Sequence, residues 1–457
     1  MKTSKLWLRS LSIRLSSEWQ RLGGLRALVL RLAAIQRAEG WAGIQKRLLH
    51  LTARGPRLAT DESTHPGKTE ENRADTAPEE ITAPGVLLIG HPHAILGVGE
   101  NLRAISLALG SSDIPFKICN AFEPHAKGNA LLQDFSYQEQ AAIPYRKHST
   151  NLFCLNANEM DMALSYLGSE IFDKSHNIAC WMWELSGFPD EWTGNFRYVQ
   201  EIWAQSRFVQ EAIAKKSPVP VIWMPQVVEP GAADPAIAQA LGIPKDVFTF
   251  LFFFDFTSHM ARKNPRAVID AFTLAFKNGA GESVALVVKM NGMDKCPHEY
   301  RSFLDSVSNQ DKRIIFIDKV LSDREIKGLI SGCDVFVSLH RSEGFGRGIA
   351  EAMYYGKPTV ATGYSGNMDF TNCFNSCLVD YHFVPVQKGE YPFWKGQFWA
   401  EPDIEHAAHW MHRLYQDRQL CRSIGEQAAE SIRATHSALA AGTRMRDRLD
   451  KINAQKI

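Results

Sequence analysis

Residues 338–353, SLHRSEGFGRGIAEAM, constrain the fold more than any other part of the chain. A strand-like apolar run at 334–339 enters a glycine-rich turn. A helix is expected from about Arg347 until Gly356-Lys357-Pro358 stops it. Strand, glycine turn and helix N-terminus, in that order, leave backbone N–H groups and the positive end of the helix dipole pointing the same way, which suits an anion. The turn residues Gly344, Phe345 and Gly346 supply the backbone of this site. Two carboxylates frame it, Glu343 before the turn and Glu351 about one helical turn inside. Carboxylates do not bind phosphate, so they must serve hydroxyl groups on another part of the ligand. The combination describes a site for a nucleotide-sugar.

Strand-like runs recur along the chain with helical segments between them. The first set falls at 86–90, 116–119, 152–155, 178–183, 202–204 and 219–223, with helices at 99–109, 159–167 and 207–214. The second falls at 248–254, 283–289, 314–317, 335–339 and 359–361, with helices at 265–276, 299–308 and 323–331. Alternation of this kind predicts an α/β fold of two doubly wound parallel sheets, with ligands at the carboxyl ends of the strands in the cleft between them.

The 338–353 pattern, with 357–370 after it and 255–265 and 181–209 before it, resembles the E-x7-E motif region of retaining GT-B glycosyltransferases of family 4 (group 1). The likeness spans roughly residues 85–440. It implies two Rossmann-like domains, an acceptor-side domain at 85–228 and a nucleotide-sugar domain at 229–402. C-terminal helices at 403–457 would partly cross back to the first domain. The resemblance implies an enzyme, a retaining hexosyltransferase that uses a nucleotide-sugar of GDP-mannose or UDP-hexose type. The expected acceptor is a glycan or lipid-linked acceptor, in surface polysaccharide biosynthesis. Glu351 would accept the ribose hydroxyls and Glu343 would hold donor-sugar hydroxyls. Lys263 would meet the leaving diphosphate. Where family members carry Gly-Arg after the strand, this chain has Asp255-Phe256, so Arg262, adjacent to Lys263, is taken as the substitute cation. Lys289, at the end of the next strand, is a further phosphate candidate. Val320-Leu321 falls where family members hold the base.

On the acceptor side, Gly97-Val98-Gly99-Glu100 follows the first strand and opens a helix, but lacks the third glycine of a dinucleotide fingerprint. His91 and His93 precede it. Trp181 and Glu184, in an aromatic run ending a strand, suit a sugar ring and its hydroxyls. No Asp-x-Asp motif occurs, so no metal and no resident cofactor are expected, and positive side chains with the helix N-terminus would take the metal's part. A catalytically weakened GT-B binding or assembly protein at the membrane is the alternative that the altered Gly-Arg site keeps open.

A net charge of +1 over 457 residues argues against a nucleic-acid partner. Eight cysteines without C-x-x-C spacing read as free thiols in a reducing, cytoplasmic setting. Residues 1–60 carry twelve Lys or Arg against two acids, interleaved with leucine and tryptophan. This reads as a basic amphipathic helical extension suited to peripheral contact with the inner face of an anionic membrane, not as a cleavable signal peptide. Residues 61–84, with seven acids against two bases, read as a flexible linker.

Overall fold

A computed structural model describes residues 83–94, 97–121, 148–173, 175–277, 282–307 and 311–454. The basic extension at 1–60 and most of the acidic linker lie outside the described residues. The first domain runs β1 (Ala83–Gly90), α1 (Gly97–Ser111), β2 (Phe116–Asn120), β3 (His148–Cys154), α2 (Met160–Leu167), β4 (His176–Ala179), β5 (Glu201–Ala204), α3 (Arg207–Ala214) and β6 (Val221–Trp223). Its strands form one parallel sheet in the order β2-β1-β3-β4-β5-β6. Runs such as Val86, Leu87, Leu88 and Ile89 are buried on both faces, as a parallel sheet covered by helices requires.

The second domain runs α4 (Ala236–Ala240), β7 (Phe248–Asp255), α5 (Met260–Lys263), α6 (Pro265–Ala275), β8 (Val284–Asn291), α7 (Pro297–Val307), β9 (Ile314–Ile317), α8 (Asp323–Gly332), β10 (Val335–Ser338), α9 (Arg347–Tyr354), β11 (Thr359–Thr362) and β12 (Cys377–Val379). Its sheet is also parallel, in the order β12-β11-β10-β7-β8-β9. Read from the β9 edge this is the Rossmann order, and the direction of winding reverses between β10 and β7.

After β12 the chain forms an antiparallel hairpin, β13 (Tyr381–Pro385) and β14 (Phe398–Pro402), which joins neither parallel sheet. The tip of this arm reaches the first domain, where Val386, Tyr391 and Trp399 share a core with Trp181, Trp183 and Phe188. Three helices follow, α10 (Ile404–Gln416), α11 (Arg418–His436) and α12 (Ala438–Ala454). The last returns to the first domain: Ala441, Met445 and Leu449 pack with Leu102 and Ala108 of α1. Among the described residues no helix is long and apolar enough to cross a membrane.

Candidate active site

A cavity of about 460 Å3 opens where the carboxyl ends of β7 and β8 and the starts of α8 and α9 meet α1 of the first domain. It adjoins the β10–β7 winding reversal, the place where open α/β sheets bind ligands. Its wall includes Lys263, Lys289, Lys327 and Arg347 together with Glu100, Asp255, Asp323 and Glu351.

Local sequence dictates the turn that enters α9. Gly346 caps the helix with φ of +95°, a conformation that glycine adopts without penalty. At Gly344 a side chain would meet the Gln205 Nε2 at 2.7 Å and the Trp183 carbonyl at 3.0 Å, so only glycine lets the first domain approach this closely. Ser206 Oγ donates to the Gly344 carbonyl at 2.5 Å across that contact. The Phe345 ring turns into the core against Phe370 and His436, and Glu343, Gly344, Phe345 and Gly346 are not among the residues that line the cavity. Among the first-turn amides of α9, those without carbonyl partners lie at the helix end, where an anion is favoured.

Glu343 is buried, and both of its carboxylate oxygens are engaged. Lys263 Nζ donates to Oε1 at 2.5 Å and Arg262 Nη1 to Oε2 at 3.0 Å. Burial alone would raise this carboxyl, but Lys263 and Arg262 outweigh it and hold the pKa at about 2. Burial pulls the Lys263 ammonium below its usual range, partly offset by Glu343. Lys263 reaches the cavity wall; Arg262 does not. At 4% exposure Arg262 lies behind Glu343, donating also to the Ser342 carbonyl at 3.0 Å. The structure therefore corrects the expectation that Arg262 faces the leaving diphosphate: it holds Glu343 and the turn.

Glu351 is at the cavity, held by Arg347 Nε at 2.7 Å. The same guanidinium reaches Glu100 of α1 at 2.6 Å, and Arg103 bonds the other Glu100 oxygen at 2.6 Å. One chain of charges, Glu351–Arg347–Glu100–Arg103, thus spans the two domains. Against the effect of burial, Arg347 and Arg103 bring the Glu100 pKa down to about 2. Burial, with Glu100 adding to it, raises Glu351 despite Arg347. Lys289 lies at the end of β8, donating to the Met290 carbonyl at 3.1 Å and to Asn291. Burial lowers its pKa to about 8, partly opposed by Asp255.

Other positions separate. Leu321 lines the cavity, whereas Val320 is 64% exposed and is not part of its lining. Gly97 lines the cavity, and Gly99 packs against the His91 and Ala94 carbonyls in the preceding turn. His91 pairs with Glu159 at 3.0 Å. Trp181 is 1% exposed, stacked on Phe188 with ring centroids 5.8 Å apart, so it belongs to the first-domain core and not to an acceptor surface. Glu184 lies beside the Glu343 turn. Its carbonyl accepts from Ser342 Oγ and its carboxylate accepts from Tyr391 Oη of the arm. Sequence reasoning missed Arg347 and Tyr391. Arg347 was legible as the i,i+4 partner of Glu351. Tyr391 lies 207 residues from Glu184 and carries no such signal.

Two Rossmann-like halves closing on a cleft, with the last helix returning to the first half, form a GT-B fold. Within it, residues 249–381, in the second domain, match the family model described as Glycosyl transferases group 1. The Anabaena protein HepE, solved with UDP and glucose, aligns with a TM-score of 0.56 at 16% identity over 80% of this chain and 99% of its own. The sucrose-phosphate synthase of Thermosynechococcus elongatus aligns at 0.57 with 14% identity, over 81% and 99%. A glycosyltransferase of Rickettsia africae aligns at 0.58 with 13% identity, over 81% and 98%. These likenesses establish the fold. No curated protein matches the chain by sequence.

Proposed function

We propose that this protein transfers a sugar from a nucleotide-sugar to a glycan or lipid-linked acceptor with retention of configuration. One observation carries the reading: a single cavity at the winding reversal gathers the α9 N-terminus, the Glu351 carboxylate and the Lys263 and Lys289 ammonium groups. That set matches a diphosphate joined to a ribose. HepE, crystallised with UDP-glucose, supports a donor of this chemical class.

In this reading the diphosphate rests on Lys263, Lys289 and the start of α9, where Arg347 lines the cavity just after the Gly344–Gly346 turn. Glu351 accepts ribose hydroxyls, and Glu343, fixed by Arg262, orients Lys263 and the donor sugar. The bond between anomeric carbon and phosphate oxygen breaks, the bond to the acceptor oxygen forms, and the acceptor proton passes to the departing phosphate. Pre-placed positive groups stabilise charge developing on the leaving oxygen. The proposed chemistry needs no resident metal or cofactor, so chelation should leave turnover unchanged. The basic residues at 1–60 fit peripheral contact with an anionic membrane, where a lipid-linked acceptor in surface polysaccharide synthesis would be found. Asp255, in place of the family's Gly-Arg, favours a second reading, a GT-B protein that binds nucleotide without turning it over.

A donor panel separates the two. Purified protein is mixed with GDP-, UDP-, ADP- and dTDP-sugars, and nucleoside diphosphate release and thermal shift are followed together. One nucleotide class that both stabilises the fold and is slowly hydrolysed is the expected result. Binding without release supports the second reading, and no binding by any class overturns both.

A further inference from the structure

His259 stands out from the rest of the β7–α5 loop. Its φ of +63° is a conformation that non-glycine residues rarely hold without compensation. Its ring lies 4.7 Å from that of Tyr391, on the arm, and makes no hydrogen bond among the described residues. It is only half-buried, so both ring nitrogens remain available. Tyr391 Oη donates to one Glu184 oxygen, and the other has no partner among the described residues. Glu184 in turn lies against the Glu343 turn: its Cγ is 3.6 Å from where a Gly344 side chain would begin. Three segments distant in sequence, the loop after β4, the loop after β7 and the arm, therefore bring together an open carboxylate oxygen and an open imidazole beside the proposed reaction centre.

We propose that His259 and Glu184, braced by Tyr391, form a hydroxyl-binding edge for the sugar ring of the acceptor. A carboxylate accepts from a hydroxyl, and a neutral imidazole donates or accepts, so adjacent hydroxyls of a pyranose satisfy both. The burden of a left-handed histidine is then explained by its orientation toward substrate. The proposal rests on the transferase reading and adds His259 and Tyr391 to it.

The test uses the full chain and a panel of methyl glycosides (glucoside, mannoside, galactoside and N-acetylglucosaminide). Binding is read by saturation-transfer NMR with and without UDP or GDP. The wild type binds at least one glycoside. His259→Gly, which suits the backbone conformation, weakens it by about fivefold or more. Its Tm is unchanged or higher and its nucleotide affinity is within about twofold of wild type. His259→Asn, polar and tolerant of the left-handed region, restores part of the loss. Unchanged glycoside binding in His259→Gly overturns the proposal, as does a Tm falling with it or a wild type that binds none of the panel. Failure to bind nucleotide strikes the transferase reading alone, because the titrations without nucleotide still judge the sugar edge.

Discussion

The two ends of the interdomain cleft are joined by opposite means. At the arm end, Trp183 is packed edge-on by Trp192 and Tyr391 at centroid distances of 5.1 and 5.6 Å, and Gln397 bonds both the N–H and the carbonyl of Gly187. At the cavity the domains meet through a partly exposed ion pair, Arg347 with Glu100, beside the buried contact of Ser206 with the Gly344 carbonyl. A dry aromatic contact gains nothing from being broken, whereas an ion pair beside water exchanges readily for ligand charges. The molecule is therefore stapled at one end and latched at the other. Under the proposed function, a motion that admits a nucleotide is expected at the latch.

The sharpest way to break this contrast is Trp183→Ala. Removing a buried indole costs about 3–5 kcal/mol, and here it opens the joint between arm and first domain. Chemical denaturation should show the midpoint falling accordingly, with the transition splitting if the two domains uncouple. A loss below about 1 kcal/mol would mean that the arm is not a staple.

Lys263→Ala comes next, and it acts on chemistry. Loss of one preorganised charge at a leaving group costs about 100- to 1,000-fold in turnover. Glu343 is then left with Arg262 alone, so some stability goes as well. Single-turnover donor cleavage measured on the folded fraction separates the effects, and near-normal cleavage would remove Lys263 from the mechanism. Glu100→Gln probes the latch with a smaller effect. A part-exposed pair contributes about 1 kcal/mol or less, so Tm barely moves. Nucleoside diphosphate should leave severalfold faster in stopped flow, because the cleft opens with one contact fewer. An unchanged off-rate would show that opening is not limited by this pair.

How much of this was legible depended on whether a residue's neighbours were close in sequence. The α9 start at Arg347 follows from the glycine turn before it, and α3 spans Arg207–Ala214 as its pattern predicts. The hairpin did not show itself, because β13 is exposed at four of its five positions and lacks the alternation that marks a strand with one buried face. The 178–183 run reads as one strand, yet β4 ends at Ala179, and Trp181 to Glu184 leave the sheet to meet the arm. Arg262 and Lys263 look equivalent in sequence. On a helix consecutive side chains point about 100° apart, so one reaches the cavity while the other enters the core. Adjacency states charge density and not direction, and direction is what separates a phosphate ligand from a brace.

The smallest effect tests the nucleotide end by pH. Lys289, with its pKa lowered to about 8, is charged at neutral pH and loses its proton in a range where ordinary lysines do not. A bound diphosphate favours the charged form and raises this pKa. Affinity is therefore full below about 8 and falls as pH rises through the free-state value. It declines by up to about tenfold per pH unit until the bound-state pKa is reached. Calorimetric titration with UDP or GDP from pH 7 to 9.5 should show the decline. Lys289→Arg should flatten the decline, because a guanidinium stays charged throughout. A wild-type affinity that is flat across the range would place the diphosphate away from β8 and leave Lys263 with the α9 amides as its only hold.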